Sequence, residues 1–240
     1  MSVSAARGAQ RHTATPDAGI DARLEARARQ SLGSSSDAIY RMVTGVLEAR
    51  GIGGGTLVDV GCGGGGLWRV VSGRFSHYCG LDAVKYDGFP SEGEFQAIDL
   101  DAPGWPMADG VADVVAALET IEHLENPWAF VRRLRALAKP GAWVIVTTPN
   151  QMSALSVLTL LVKRRFSAFQ DPQYPAHRTA LLECDLERAA REAGLEPAEW
   201  AYSLHGRVPL TPWHYPLALA RCFPRALSDN LMLLARRRDD

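Results

Sequence analysis

Apolar positions along the chain switch period in a regular order. Over Asp37 to Arg50, Ile39, Val43, Val46 and Leu47 recur at helical spacing, and Gly51 to Gly55 then break the chain. Thr56 to Val60 is a short β-branched run and is predicted as a buried first strand. His77 to Leu81 predicts a second strand ending at Asp82, Glu94 to Ile98 a third ending at Asp99, Val111 to Leu118 a fourth, and Trp143 to Thr147 a fifth. Helical patterns fall between them. One starts near Leu67. Another opens at Asn126-Pro127, where Asn suits the N-cap and Pro the first turn, and places Phe130, Val131, Leu134 and Leu137 on one side before Lys139-Pro140-Gly141. Further on come an apolar helix over about Ser153 to Arg164, a helix from Leu182 to Ala193 ending at Gly194, and two late strands near Ala198 to Leu204 and Leu231 to Ala235. Strands alternating with helices imply an α/β fold: a mostly parallel sheet with helices on both faces.

The first part of the chain lacks this pattern. Residues 1–20 carry few large apolar groups and are expected to be disordered. Asp21 to Leu32 has helical composition with an apolar face made mostly of alanine. The 240 residues fit one domain, expected over 21–240. The formal net charge of -1 gives no global attraction to nucleic acid, and none is expected as a partner. Cys62, Cys79, Cys184 and Cys222 show no C-x-x-C spacing, so reduced thiols in a cytoplasmic protein are expected. There is no apolar stretch behind a basic start that would mark a secretory signal. The longest apolar run, Ala154 to Val162, is short of the roughly 20 residues that span a bilayer.

Chemistry concentrates at the strand ends. Leu57 to Gly66 reads LVDVGCGGGG. A glycine turn between strand and helix lets a ligand approach the backbone and presents free N–H groups. Gly61, Gly63 and Gly66 match a dinucleotide fingerprint, whereas Gly61, Gly63 and Gly65 match G-x-G-x-G. Asp59, two residues upstream, opposes a pyrophosphate and suits a cation such as the sulfonium and amine of S-adenosylmethionine; a carboxylate there can also bind backbone amides. Asp82 can accept both hydroxyls of a ribose, and Asp99 can reach an adenine. The three acids end three successive strands, along the crevice where open α/β sheets bind ligands.

The segments LVDVGCGGGGL, LDAV, AIDLDAPGWPMADGVADVVAALETIEHLENP and KPGAWVIVTTPN resemble consecutive motifs of the class I S-adenosylmethionine-dependent methyltransferases. Within that family they are most similar to the branch holding the ubiquinone-biosynthesis O-methyltransferases. The resemblance is strong from Leu57 to Asn150 and weaker from Gln151 to Gly194. It implies a Rossmann-like seven-stranded sheet whose last strand is antiparallel, the place Leu231 to Ala235 would take. It also implies S-adenosylmethionine as cofactor, with S-adenosylhomocysteine as product, and a small-molecule acceptor methylated at oxygen. Carried over, Asp59, Gly61, Cys62, Gly63 and Gly65 surround the methionine part, Asp82 the ribose, and Asp99 with Leu100 the adenine, while the Leu118 carbonyl meets the amine.

Methyl transfer to a hydroxyl needs alignment and removal of a proton. Glu119, Glu122 and His123 follow the fourth strand and, if helical, share one face. His123 can act as base. The same E-x-x-E-H pattern resembles one that ligates a divalent ion in the ubiquinone O-methyltransferases and the small-RNA 2′-O-methyltransferases, with His177 in the place of a later ligand. Glu119, Glu122, His123 and His177 are thus a secondary, metal-binding reading. A third has Glu122 and His123 bracing the next helix. Segments 153–180 and 205–228 are expected to be variable lid or substrate segments. In the first, Leu155, Leu158 and Val162 form an apolar stripe before Lys163-Arg164-Arg165, which fits a lid, a surface helix in contact with a membrane over 153–169, or a packed helix. In the second, Trp213, His214, Tyr215 and Phe223 fit an acceptor pocket or plain packing. Rival functions are a metal-assisted RNA 2′-O-methyltransferase, a methyltransferase of lipid or glycan precursors, a non-catalytic cofactor-binding scaffold, and a nicotinamide dehydrogenase. Nothing in the sequence identifies the acceptor or the oligomeric state.

Overall fold

The computed structural model describes residues 22–31 and 33–239; the expected disordered segment 1–20 lies outside them. Helices α1 (Ala22–Gln30) and α2 (Asp37–Ala49) precede β1 (Thr56–Val60), α3 (Gly66–Val71), β2 (His77–Asp82), β3 (Glu94–Ala97) and β4 (Ala112–Leu118). Then come α4 (Pro127–Leu137), β5 (Ala138–Pro149), α5 (Ala154–Lys163), α6 (Glu183–Glu192), β6 (Leu195–Tyr202), α7 (Leu217–Cys222) and β7 (Asn230–Arg237). One sheet has the order β3-β2-β1-β4-β5-β7-β6. β7 runs antiparallel to both β5 and β6, and the other pairs are parallel. The C-terminal ends of the six parallel strands and the start of β7 therefore share one edge.

Each face of the sheet has its own apolar layer. On one, Phe130, Val131 and Leu134 of α4 and Leu186 and Ala189 of α6 pack against Val58, Val115 and Val146. On the other, Ile39, Val43 and Leu47 of α2 and Leu67 and Trp68 of α3 pack against Leu57, Val114 and Ile145. Alternation along each strand sends successive side chains to opposite layers, so nearly every strand residue must be apolar. The N-cap of α4 forms as expected, with Asn126 Oδ1 accepting from Ala129 N–H at 2.9 Å.

Three elements depart from expectation. Lys139-Pro140-Gly141 does not separate α4 from β5: the strand starts at Ala138, paired with Ala112, and an irregularity at Ala112/Val114 with Gly141 at φ +72° absorbs the misfit. α7 has no counterpart in the sequence reading. The predicted stripe of α5 is not a packing face, since Ser156 is the only buried residue of that helix.

Candidate active site

A cavity of about 540 Å³ opens at the shared strand edge, bordered by β1, β2 and β4 and covered by residues from α1, Ser31 and residues 33–36. That volume suits a cofactor-sized ligand. The glycine turn is held from both sides. Gly61 N–H donates to Leu81 O at 2.7 Å, and Gly63 N–H to Asp82 Oδ2 at 2.8 Å. Gly63 has φ +51°, and a Cβ there would lie 2.1 Å from Gly33 O, so the position excludes any side chain. Gly61 and Cys62 line the cavity with Asp59; Gly63 and Gly65 do not, and shape the turn from behind.

Asp59 is 2% exposed, and its Oδ2 accepts from Tyr78 Oη at 3.0 Å. Burial, opposed by the Tyr78 bond and reinforced by Asp82, pushes its carboxyl up to about 7. An approaching cation would favour its ionised form. Tyr78 is stacked between Trp68 and Phe89. Its part was not foreseen, because an aromatic inside a buried strand reads as core. Burial also drives the Cys62 thiol far up, which leaves it un-ionised. Asp82, Asp99, Leu100 and Leu118 also border the cavity. Asp82 Oδ1 accepts from Val84 N–H and Asp99 Oδ1 from Asp101 N–H, so each closes a local turn as well.

The E-x-x-E-H stretch is not helical, which corrects the shared-face expectation. Glu119 takes a left-handed conformation, φ +50°, and a single 3₁₀ turn covers Ile121–His123. The cause is tertiary: Glu119 N–H donates to Thr147 Oγ1 at 2.9 Å, while its carboxylate accepts from Thr147 Oγ1 at 2.8 Å and Asn230 Nδ2 at 2.7 Å. Glu122 is fully buried. Its Oε2 lies 3.3 Å from Thr148 Oγ1, and its Oε1 has no partner. Desolvation pushes both carboxyls above the usual range, and Glu122 the further because Glu119 stands beside it.

His123 Nδ1 lies 2.9 Å from Ala176 O and His177 Nδ1 2.7 Å from Ala168 O. A carbonyl can only accept, so each Nδ1 carries the proton and each Nε2 presents a lone pair. The rings meet edge to face at 4.8 Å. Burial, with the neighbouring His177, lowers His123 to about 4, and burial also lowers His177. Both imidazoles are neutral near pH 7. Ligand atoms of Glu122, His123 and His177 lie within 4.8 Å of one another, and Glu119 stands outside that group. Two oriented imidazoles and a buried carboxylate oxygen without a partner suit a small divalent cation.

Further wall residues had no sequence signal. Tyr86 Oη donates to Ala28 O at 2.8 Å, Arg27 pairs with Asp101 at 3.5 Å, and Gly64 N–H donates to Gly33 O at 2.9 Å. These bonds lay α1 and the serine-rich turn across the opening. Gln173 and Ala176 close the His177 side, and Asn230 closes the floor. None of residues 205–228 lines the cavity, so the pocket-lining expectation for that segment does not hold.

The family model described as a methyltransferase domain matches residues 34–199. The chain belongs to this methyltransferase family. Among curated relatives it is similar to a ubiquinone biosynthesis O-methyltransferase of Thiobacillus denitrificans, 32% identical over 155 residues, covering 61% of this chain and 66% of that protein. One from Bordetella avium is 27% identical over 154 residues, covering 60% of this chain and 64% of the relative. The chain therefore matches just under two thirds of the length of these relatives. A SAM-dependent methyltransferase of Archaeoglobus fulgidus shares the fold, with TM-score 0.60, 13% identity, and 90% and 100% of the two chains covered. One from Mesorhizobium loti has TM-score 0.54, 16% identity, and 80% and 96% covered. The methyltransferase resemblance and its seven-stranded sheet thus hold for this chain. The cavity fits S-adenosylmethionine on its own terms: an acid with a cation-responsive carboxyl beside a bare-backbone turn, then two further acids, one at the end of β2 and one just past the end of β3. Among the described residues no helix is long and apolar enough to cross a membrane.

Proposed function

We propose that this methyltransferase transfers the methyl group of S-adenosylmethionine to an oxygen of a small-molecule acceptor held against His123 and His177. The bound cofactor supplies an electrophilic methyl on a sulfonium. Asp59, Gly61, Cys62 and the Leu118 carbonyl hold its methionine end, Asp82 its ribose, and Asp99 and Leu100 its adenine; Gly63 and Gly65 keep the turn in shape. The observation that carries the acceptor reading is the neutral His123 ring, fixed through Nδ1 by the Ala176 carbonyl and lining the cavity. Nε2 takes the hydroxyl proton as the oxygen turns nucleophilic. Glu119 and Glu122 position this turn. The names of the curated relatives support oxygen as the acceptor atom.

A second reading rests on the unpartnered Glu122 Oε1. Glu122, His123 and His177 would hold a divalent cation, which lowers the pKa of an acceptor hydroxyl by Lewis acidity. The two readings separate by experiment. Methyl transfer from labelled S-adenosylmethionine would be measured over a panel of phenols and catechols. His123→Ala should lower turnover about 10²–10⁴-fold with S-adenosylhomocysteine affinity intact. Near-normal turnover would reject a role for His123. Activity that survives chelation identifies His123 as the base; activity lost to EDTA and restored by Mg²⁺ or Mn²⁺ identifies the ion.

A further inference from the structure

We propose that α5 and the stretch 205–225 form a docking face for a bilayer containing anionic lipid, beside the mouth of the acceptor cavity. The proposal deepens the small-molecule reading above, because it places the acceptor within a lipid phase.

Exposed apolar surface is confined to these segments to an unusual degree. Of the 12 large hydrophobic residues exposed among those described, nine lie in them. In α5, Leu158, Leu160, Leu161 and Val162 face solvent, the last two at 76% and 72% exposure. In the second segment Leu210, Trp213, Leu217, Leu219 and Phe223 do, with Leu210 fully exposed and Trp213 at 74%. The tip carrying Leu210 and Trp213 is a closed turn. Val208 N–H donates to Trp213 O at 2.9 Å, Arg207 and His214 form an antiparallel bridge, and the His205 and His214 rings stack at 3.7 Å. Its apolar side chains are therefore presented by an ordered frame.

Topology places both segments at one edge. α5 follows the end of β5, and 205–225 joins the end of β6 to the start of β7, so both leave the edge where the cavity opens. Their roots are tied together: Ala154 N–H at the start of α5 donates to the O of Ala226, just past the second stretch, at 2.7 Å, and Asn150 Nδ2, just ahead of α5, donates to Arg225 O at 2.7 Å.

Charge selects the occupant. The chain has 27 acidic residues in 240, yet 153–165 and 205–225 contain none, against Lys163, Arg164, Arg165, Arg207, Arg221 and Arg225. Arg165, Arg207 and Arg225 pair with acids outside these stretches. Lys163, Arg164 and Arg221 have no ion-pair partner among the described residues. Exposed leucines and a tryptophan in stretches that carry unpaired cations and no acid match the interface of an anionic membrane. A two-fold contact between copies would bring the same cations face to face.

The test is co-sedimentation of the full chain with phosphatidylcholine vesicles, with and without phosphatidylglycerol. Expected are pelleting that requires phosphatidylglycerol and weakens with salt, and a loss of about tenfold in partition for Leu161→Asp/Val162→Asp and, separately, for Leu210→Asp/Trp213→Asp. Lys163→Glu/Arg221→Glu should reduce binding only to the anionic vesicles. All these positions are exposed, and S-adenosylhomocysteine affinity, read by calorimetry, should not move. Equal pelleting of every variant, no pelleting at all, or self-association in vesicle-free solution that the same substitutions abolish would overturn the docking face. Vesicle binding without S-adenosylhomocysteine binding would instead overturn the donor-site reading and leave the docking face standing.

Discussion

On the reading proposed above, Asp59 makes donor binding proton-linked. Its carboxyl is buried and titrates near 7 in the free protein, against 3.8 in its ordinary state. A cationic ligand must meet the carboxylate, so the apparent affinity scales with the ionised fraction. That fraction rises from about 0.03 at pH 5.5 to about 0.5 at pH 7, a factor of about sixteen, or about 1.6 kcal/mol. Below pH 7 the amine of the ligand stays protonated, its ordinary pKa being about 7.7–8.0, so the change belongs to the protein. The assay is isothermal titration of S-adenosylmethionine at pH 5.5, 6, 6.5 and 7. Buffers of different ionisation enthalpy would count the protons released, about half of one at pH 7. Asp59→Asn should bind more weakly at pH 7 and lose most of this slope. A flat affinity between pH 5.5 and 7, or an unchanged slope in Asp59→Asn, would refute the idea that this carboxyl meets the cation.

Other consequences concern the same scaffold. A carboxyl whose pKa is raised on folding stabilises the native state below its unfolded pKa, and that contribution disappears as pH rises through the folded value. The ligand-free protein should therefore lose stability between about pH 4 and 7, on the order of 4 kcal/mol from Asp59; urea unfolding of wild type and Asp59→Asn would read the difference, and a wild-type curve that rises no less steeply than the variant's contradicts it. Tyr78→Phe removes the hydroxyl 3.0 Å from Asp59 Oδ2. At pH 7 its affinity for S-adenosylmethionine should fall about tenfold, with near-equal melting temperature, and equal affinity by calorimetry would argue against the bond. Gly63→Ala forces a Cβ into the Gly33 carbonyl at φ +51°; it should cost about 1–3 kcal/mol in chemical unfolding and abolish S-adenosylhomocysteine binding, and a wild-type melt would show that the turn yields. Asn126→Ala removes a helix cap that does not line the cavity and should cost about 1 kcal/mol with ligand affinity unchanged.

What the sequence determined is local. Strand positions from Thr56 to Thr147 were legible because a sheet covered on both faces demands unbroken apolar runs, and because Gly, Pro and Asn punctuate them. The acids that border the cavity were legible for a related reason: in a parallel sheet the groups facing the crevice sit at or just past strand ends, so Asp59, Asp82 and Asp99 could be found by counting. The acceptor side was not. Glu119 and His123 share no helix, because Thr147 and Asn230, 28 and 111 residues later, pull the Glu119 backbone into a left-handed turn. The tautomer of His123 depends on a carbonyl 53 residues away. The fate of α5 and Trp213 was likewise tertiary: an apolar stripe reads the same whether it faces a core or solvent, and only the absence of a packed partner tells them apart. Periodicity records which way a side chain points from its own backbone, whereas long-range packing decides what it meets there.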